Sequence, residues 1–397
     1  MDITCVKSSP CSGVELSVFH GNLKAQSLTF SPCGRQMALG GCDGLVRFVD
    51  TSRGAVLGKC RAVIPGFWPP YPALAVMCVE FSKDGSQLLC GGEDGKVCLI
   101  QLAPLRHSYI TQHAPHTTEL GQLPVYAVHF SACGGRFFTG GDDCRVCCFD
   151  MLAMVKLWAF EANSFISHIV SSCAADYVVV GVKGDYLIEN AVHIIQEVSE
   201  VGSLKIRSHC FQCDSHWPPC RPDGFSIAFS QFGQISLATR CVGEEIIEVR
   251  LLSVEKECIF HQNHPPSWQF QLDGYNMLDS AFSGEAQKLI FVMESRDCKG
   301  VRITVHEAKL GALLASFCVH CTLLSGEVGL VMSPRMNLIA VMTCGCWLLF
   351  AKPLWHIVRL LFLAKNKGDK NVCIMARLPG GVFRYMVETI AAFLAPW

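Results

Sequence analysis

The chain is 397 residues long, half of them hydrophobic and only 17% charged, with 33 basic against 34 acidic side chains. That much apolar material excludes a disordered chain and is ample for a large core. The near-neutral charge gives no support for nucleic acid or an acidic membrane surface as the main partner.

The opening residues, MDITCVKSSPCSG, carry an acid at position 2, no basic run and no apolar run, so no secretory signal is expected. The expected location is the cytoplasm, with the nucleus left open. The 24 cysteines are then read as reduced thiols. Many serve as small core hydrophobes in strand-like runs, among them Cys78, Cys90, Cys98, Cys147 and Cys148.

Three segments then superimpose: FSPCGRQMALGGCDGLVRFVD from Phe30, FSKDGSQLLCGGEDGKVCLIQ from Phe81 and FSACGGRFFTGGDDCRVCCFD from Phe130. Each reads as a strand ending at Phe-Ser, a tight glycine turn, an apolar strand ending in Gly-Gly, an acidic turn and an alternating strand. Glycine supplies positive φ at the turns, and Asp-Gly between apolar runs is a hairpin signal. This pattern resembles the WD40 repeat, with the Trp-Asp pair reduced to Val49-Asp50, Gln101 and Phe149-Asp150. Weaker copies follow at Val170, Phe229, Phe282 and Met332. Seven anchors imply an all-β, seven-bladed WD40-like β-propeller over residues 1–352. The last copy lacks an outer strand, and ITCVK or VELSVF from the N-terminus is expected to close the ring.

The longest apolar stretch, Trp347–Ala364, is interrupted by Lys352, Pro353, His356 and Arg359, so no membrane span is expected. After Pro353 the period shifts from 2 to about 3.6. Leu354, Val358 and Leu361 share one helix face, and after the break at LPGG so do Val382, Met386, Ile390 and Phe393. Residues 353–397 are therefore expected to form a small α-helical module.

Its residues resemble the SOCS box, a three-helix module that recruits elongins B and C and a cullin, usually cullin-5. The elongin-binding pattern is matched by Pro353, Leu354, Val358, Arg359 and Phe362, with Val358 where the family has Cys. The cullin-binding pattern is matched by Leu378, Pro379, Val382, Tyr385 and Met386, with Gly381 where the family has its second Pro. The resemblance implies the substrate receptor of a ubiquitin ligase, whose propeller holds an unidentified protein target. The plainer alternative is a scaffold propeller of another assembly, with the tail helices only capping the disc.

Three Trp-Pro clusters precede repeats at a shared offset: Trp68 in GFWPPY, Trp217 in HWPPC and Trp268 in HPPSW. That offset places all three in loops on one face of the disc, where exposed aromatics would anchor the target. For any one cluster taken singly, a Trp packed on its own blade is the plainer reading. The segment HCFQCDSHWPPC (His209, Cys210, Cys213, His216, Cys220) has thiols and imidazoles, but its spacing is tighter than a zinc knuckle, so no metal or other cofactor is expected. There is no GxSxG, P-loop or HExxH motif, and the chain is read as a non-catalytic adaptor.

Overall fold

The structure is a computed structural model. It describes residues 4–7, 17–21, 25–51, 55–63, 74–102, 105–110, 123–131, 133–171, 177–182, 191–200, 203–212, 225–230, 234–240, 245–253, 266–283, 286–295, 300–320, 329–332, 338–343 and 346–351. The expected helical module, with its elongin and cullin residues, lies outside them.

Strands β1 (Thr4–Lys7) and β2 (Ser17–Gly21) precede the first repeat. The first repeat forms β3 (Ala25–Phe30), β4 (Gln36–Gly41), β5 (Leu45–Asp50) and β6 (Val56–Arg61). The second forms β7 (Val76–Phe81), β8 (Gln87–Gly92), β9 (Val97–Leu102) and β10 (Leu105–Ile110). The third forms β11 (Val125–Phe130), β12 (Arg136–Gly141), β13 (Arg145–Asp150) and β14 (Lys156–Glu161). Next come β15 (Ile166–Ser171), β16 (Tyr177–Val182), β17 (Ala191–Glu200) and β18 (Ser203–Gln212). A fifth group is β19 (Phe225–Phe229), β20 (Gln234–Arg240), β21 (Ile246–Ser253) and β22 (Trp268–Gln271). A sixth is β23 (Tyr275–Phe282), β24 (Lys288–Ser295), β25 (Gly300–Glu307) and β26 (Leu313–His320). The last strands are β27 (Gly329–Met332), β28 (Leu338–Thr343) and β29 (Cys346–Ala351).

Each group of four pairs in chain order as an antiparallel sheet, so the described residues form seven sheets. The seventh runs β1-β2-β29-β28-β27. Ser17 pairs with Ala351 and Gly21 with Trp347, so the chain's beginning is stitched to its last strand. Strand β2 (SVFHG), which overlaps the end of the VELSVF run, supplies the missing fourth strand, and β1 (TCVK) adds a fifth outside it. The first strands of the sheets touch in sequence, β3 with β7, β7 with β11, β11 with β15, β19 with β23, β23 with β27, and β27 with β3 again. The sheets thus stand around a ring with these strands innermost, an arrangement that protects edges a flat sheet would expose.

The inner strands share a defect that sets their register. A bulge falls between Ala25 and Ser27, Val76 and Cys78, Val125 and Ala127, Ile166 and His168, and Met277 and Asp279. One extra residue at a fixed place bends and twists each strand in the same sense. Counting from it, Phe30, Phe81, Phe130 and Phe282 oppose Met37, Leu88, Phe137 and Leu289. In the fourth sheet that position, opposite Val178, is held by Ser171. The expected anchor Val170 is therefore corrected by one residue, because register follows the bulge and not the nearest apolar side chain.

The core lies between neighbouring sheets. Ala38 and Val46 of the first sheet pack with Phe81, Leu88 and Ile100 of the second. Leu89 and Val97 of the second meet Phe137, Cys147 and Phe149 of the third. Phe138, Cys148 and Trp158 of the third meet Val180 and Ile195 of the fourth, and Val249 of the fifth meets Leu289 and Phe291 of the sixth. The Gly-Gly pairs permit this approach. A side chain at Gly40 would come within 2.9 Å of the Val76 carbonyl, and one at Gly91 within 2.9 Å of the Val125 carbonyl, each on the next inner strand.

Candidate functional site

The repeat signature is a set of turn hydrogen bonds. The serine of Phe-Ser is buried and its hydroxyl accepts the N–H that opens the next strand: Gln36 to Ser31 (3.1 Å), Gln87 to Ser82 (2.9 Å), Arg136 to Ser131 (3.0 Å), Gln234 to Ser230 (3.0 Å) and Lys288 to Ser283 (3.0 Å). In the acidic turns Asp43, Asp94 and Asp143 each accept the N–H two residues on, at 3.2 Å. Gly44 and Gly95 follow with φ of 74° and 72°, and in the third repeat Cys144 takes the same left-handed conformation at 61°. The Arg47 guanidinium holds the Asp43 carboxyl below its usual range, whereas burial pushes that of Asp94 up. These groups build turns and are committed to the scaffold.

Polar side chains on the innermost strands make a second set of contacts, from one sheet to the next. The Ser27 hydroxyl donates to the Val76 carbonyl (3.1 Å), and the Cys78 thiol to that of Val125 (3.4 Å). Ser226 meets Ser280 (2.7 Å) and donates to Asp279 (3.2 Å). Across three consecutive inner strands runs a longer chain. Glu80 of β7 lies 3.0 Å from His129 Nδ1 on β11, and His129 Nε2 lies 3.1 Å from Ser171 Oγ on β15. A carboxylate can only accept, so Nδ1 carries the proton, and in the neutral imidazole Nε2 accepts from the Ser171 hydroxyl. The side chains of His129 and Glu80 are 19% and 27% exposed, half-buried but reachable.

Of the expected target-binding aromatics, Trp68 and Trp217 lie outside the described residues. Trp268 does not stand in a loop, which corrects its expected placement. It opens the outer strand β22, where Val249 pairs with it. Its indole N–H donates to the Ala308 carbonyl (2.8 Å), and its ring stacks on buried His306 at 5.3 Å. Phe291 meets it edge-on at 6.0 Å, and a side chain at Gly311 would strike the ring. Trp268 is wedged between the fifth and sixth sheets, because an indole beside a free carbonyl gains a hydrogen bond and apolar contact together. Apolar side chains that spacing had not singled out stand outside instead: Leu152 (95% exposed), Val155 and Leu157 at the β13–β14 edge, and Leu310, Leu313 and Leu314 at the matching β25–β26 edge.

The cysteines divide as their neighbours dictate. Cys90, Cys98, Cys147 and Cys148 are buried, while Cys78 is half-buried. Burial pushes the thiol of Cys98 up to about 12 and that of Cys60 to about 11, so both stay protonated and behave as apolar groups. Cys33 and Cys133, exposed at equivalent turns, are lowered by the neighbouring hydroxyls of Ser31 and Ser131. In the suspected metal loop, the backbones of His209 and Cys210 pair with Ile194 and His193, and Cys213, His216 and Cys220 lie outside the described residues. Among the described residues no three His, Cys, Asp or Glu side chains are grouped to hold a metal ion.

The sequence profile described as WD domain, G-beta repeat matches residues 58–101 and 113–150. No curated protein matches the chain. Among solved structures it is similar to that of U3-55K, with a TM-score of 0.61 and 10% identity over 86% of this chain and 100% of that one. The RRP9 WD40 repeats give 0.61 at 11% identity, over 88% and 99%. The β-propeller domain of Myceliophteria thermophila Cps50 (Swd1) gives 0.57 at 14%, over 83% and 97%. At such identities the likeness is one of fold. The chain carries WD40 repeats, and its repeated antiparallel sheets form a β-propeller.

Proposed function

We propose that this chain is a seven-bladed propeller adaptor that holds a protein target on its disc and recruits elongins B and C and a cullin through residues 353–397. The motif pair carries the reading: Leu354 with Val358, then Leu378-Pro379 with Val382, in that order after the last blade. The closure supports it. Among the described residues the last sheet takes its outer strands from residues 4–7 and 17–21. Strand β29, which pairs with β2, ends two residues before Pro353 in the sequence.

In this reading Leu354 fills an apolar pocket of elongin C with Val358 beside it, Arg359 and Phe362 extend that contact, and Leu378, Pro379, Val382, Tyr385 and Met386 face the cullin, with cullin-5 expected. The target surface includes Trp68 and Trp217, while Trp268 braces the seam between the fifth and sixth sheets. The ligase chemistry belongs to the associated conjugating enzyme. Co-purification of elongins B and C with the full chain tests the proposal. Wild type should capture both, and Leu354→Asp should abolish capture, since an unpaired charge in an apolar pocket is strongly disfavoured. A wild-type chain that captures no elongin C overturns it.

A further inference from the structure

We propose that Glu80, His129 and Ser171 form a hydrolytic relay on the inner strands, with Ser171 as nucleophile toward a small acyl ester. The inference is independent of the tail and of any ligase. It rests on three groups from three successive sheets, each within hydrogen-bond reach of the next: carboxylate to Nδ1 at 3.0 Å and Nε2 to hydroxyl at 3.1 Å. Nucleophilic catalysis by serine needs an adjacent base and a third group that fixes the base's tautomer. Glu80 fixes the proton on Nδ1, which turns the lone pair of Nε2 toward Ser171.

The other inter-sheet contacts of the inner strands show why this chain differs from a structural tie. Ser27 and Cys78 are held by backbone carbonyls, which cannot take a proton. Ser226 meets a serine and an aspartate, with no imidazole between them. Only at Ser171, among these contacts, is the hydroxyl opposed by a base. Ser171 also occupies the register position that the aligned inner strands give to phenylalanine. The small hydroxyl replaces a bulky apolar ring at the one place where His129 can reach it.

The chemistry balances with water as sole co-reactant. Ser171 Oγ attacks the ester carbonyl carbon as its proton passes to His129 Nε2. The bond to the leaving alkoxide breaks, and the alkoxide departs with that proton as an alcohol. Water then gives a proton to Nε2 and its hydroxyl to the acyl carbon, and Ser171 Oγ leaves and recovers the proton, releasing the acid. Ser171 and His129 touch the reacting atoms and are catalytic, whereas Glu80 acts through His129 as a positioning residue.

The test is covalent labelling of the full chain with a biotinylated fluorophosphonate, with the modified peptide mapped by mass. Wild type should label at Ser171. Ser171→Ala should abolish labelling, and Glu80→Gln should slow it about a hundredfold. Thermal melts accompany each variant, and if Ser171→Ala does not fold, loss of labelling in folded His129→Gln decides the matter. No labelling of wild type, labelling undiminished in Ser171→Ala, or a rate indifferent to Glu80→Gln would overturn the relay and leave a tie between inner strands.

Discussion

The sheets of β3–β14 and those of β15–β26 build the same ring by different means. In the first region every strand has six residues, and the serine and aspartate turns repeat almost atom for atom. In the second, strand length varies from four to ten residues, and the Gly-Gly-x-Asp turn pattern is lost from the sequence. The bulge of the inner strands persists in β15 and β23, and the serine bond persists at Ser230 and Ser283. The WD-repeat match, residues 58–101 and 113–150, falls within the first region. The turns therefore carry the recognisable signature, while the bulge and the apolar inter-sheet contact carry the architecture. Turns tolerate drift because solvent and longer strands can take over their hydrogen bonds. An inter-sheet seam has no such substitute.

The sharpest way to break this comparison is at a seam. Phe137 is fully buried and stacks on Phe149 at 4.9 Å between the second and third sheets. Phe137→Ala should cost about 3–5 kcal/mol, read as a shift in denaturant midpoint. A loss below about 1 kcal/mol would show that the seams are not what holds the ring.

Serine turns should matter less, and equally in both regions. Ser82→Ala and Ser283→Ala each leave a strand-opening N–H without its acceptor, at a cost of about 1–2 kcal/mol. A much smaller cost at Ser283 than at Ser82 would mean that the second region has abandoned the device as well as the sequence. A gain is expected at the acidic turn of the third repeat. Cys144 holds a left-handed conformation that Gly44 and Gly95 adopt without a side chain. Cys144→Gly should stabilise by about 1 kcal/mol, seen as a raised melting temperature.

The smallest effect expected is on acidification. His306 and His193 lie in the second region, and burial holds both below the ordinary imidazole range. Neutral in the fold, they gain a proton more readily when unfolded. Their contribution to stability is thus complete above about pH 6.5 and is lost as pH falls below it. Hydrogen exchange at roughly pH 5 should show β15–β26 opening before β3–β14. Simultaneous loss of protection in both regions would contradict the asymmetry.

Much of the ring was legible because its cues are local. Phe-Ser, the glycine turn, Gly-Gly and Asp-Gly sit within some twenty residues of one another, and hairpin geometry ties each to a neighbour in sequence. The closing strand was legible for a related reason: the last repeat lacked a partner, and apolar alternation near Val14–Phe19 offered one. The anchor of the fourth sheet was misplaced by one residue because Val170 looks the part, and a bulge four residues earlier leaves no mark in hydropathy. Trp268 was misplaced because its offset from Phe282 matches the other Trp-Pro clusters, and only the indole's bond to Ala308, 40 residues away, reveals its seat.

The sequence by itself determined the repeat, its strand order and the apolar faces that must be covered, since these follow from turn chemistry and a period of 2. The tertiary structure alone decided what the repeats bring together. Glu80, His129 and Ser171 are 49 and 42 residues apart and belong to no shared motif. They meet because bulged inner strands stand side by side around the ring, and that closeness is a property of the closed fold rather than of any one repeat.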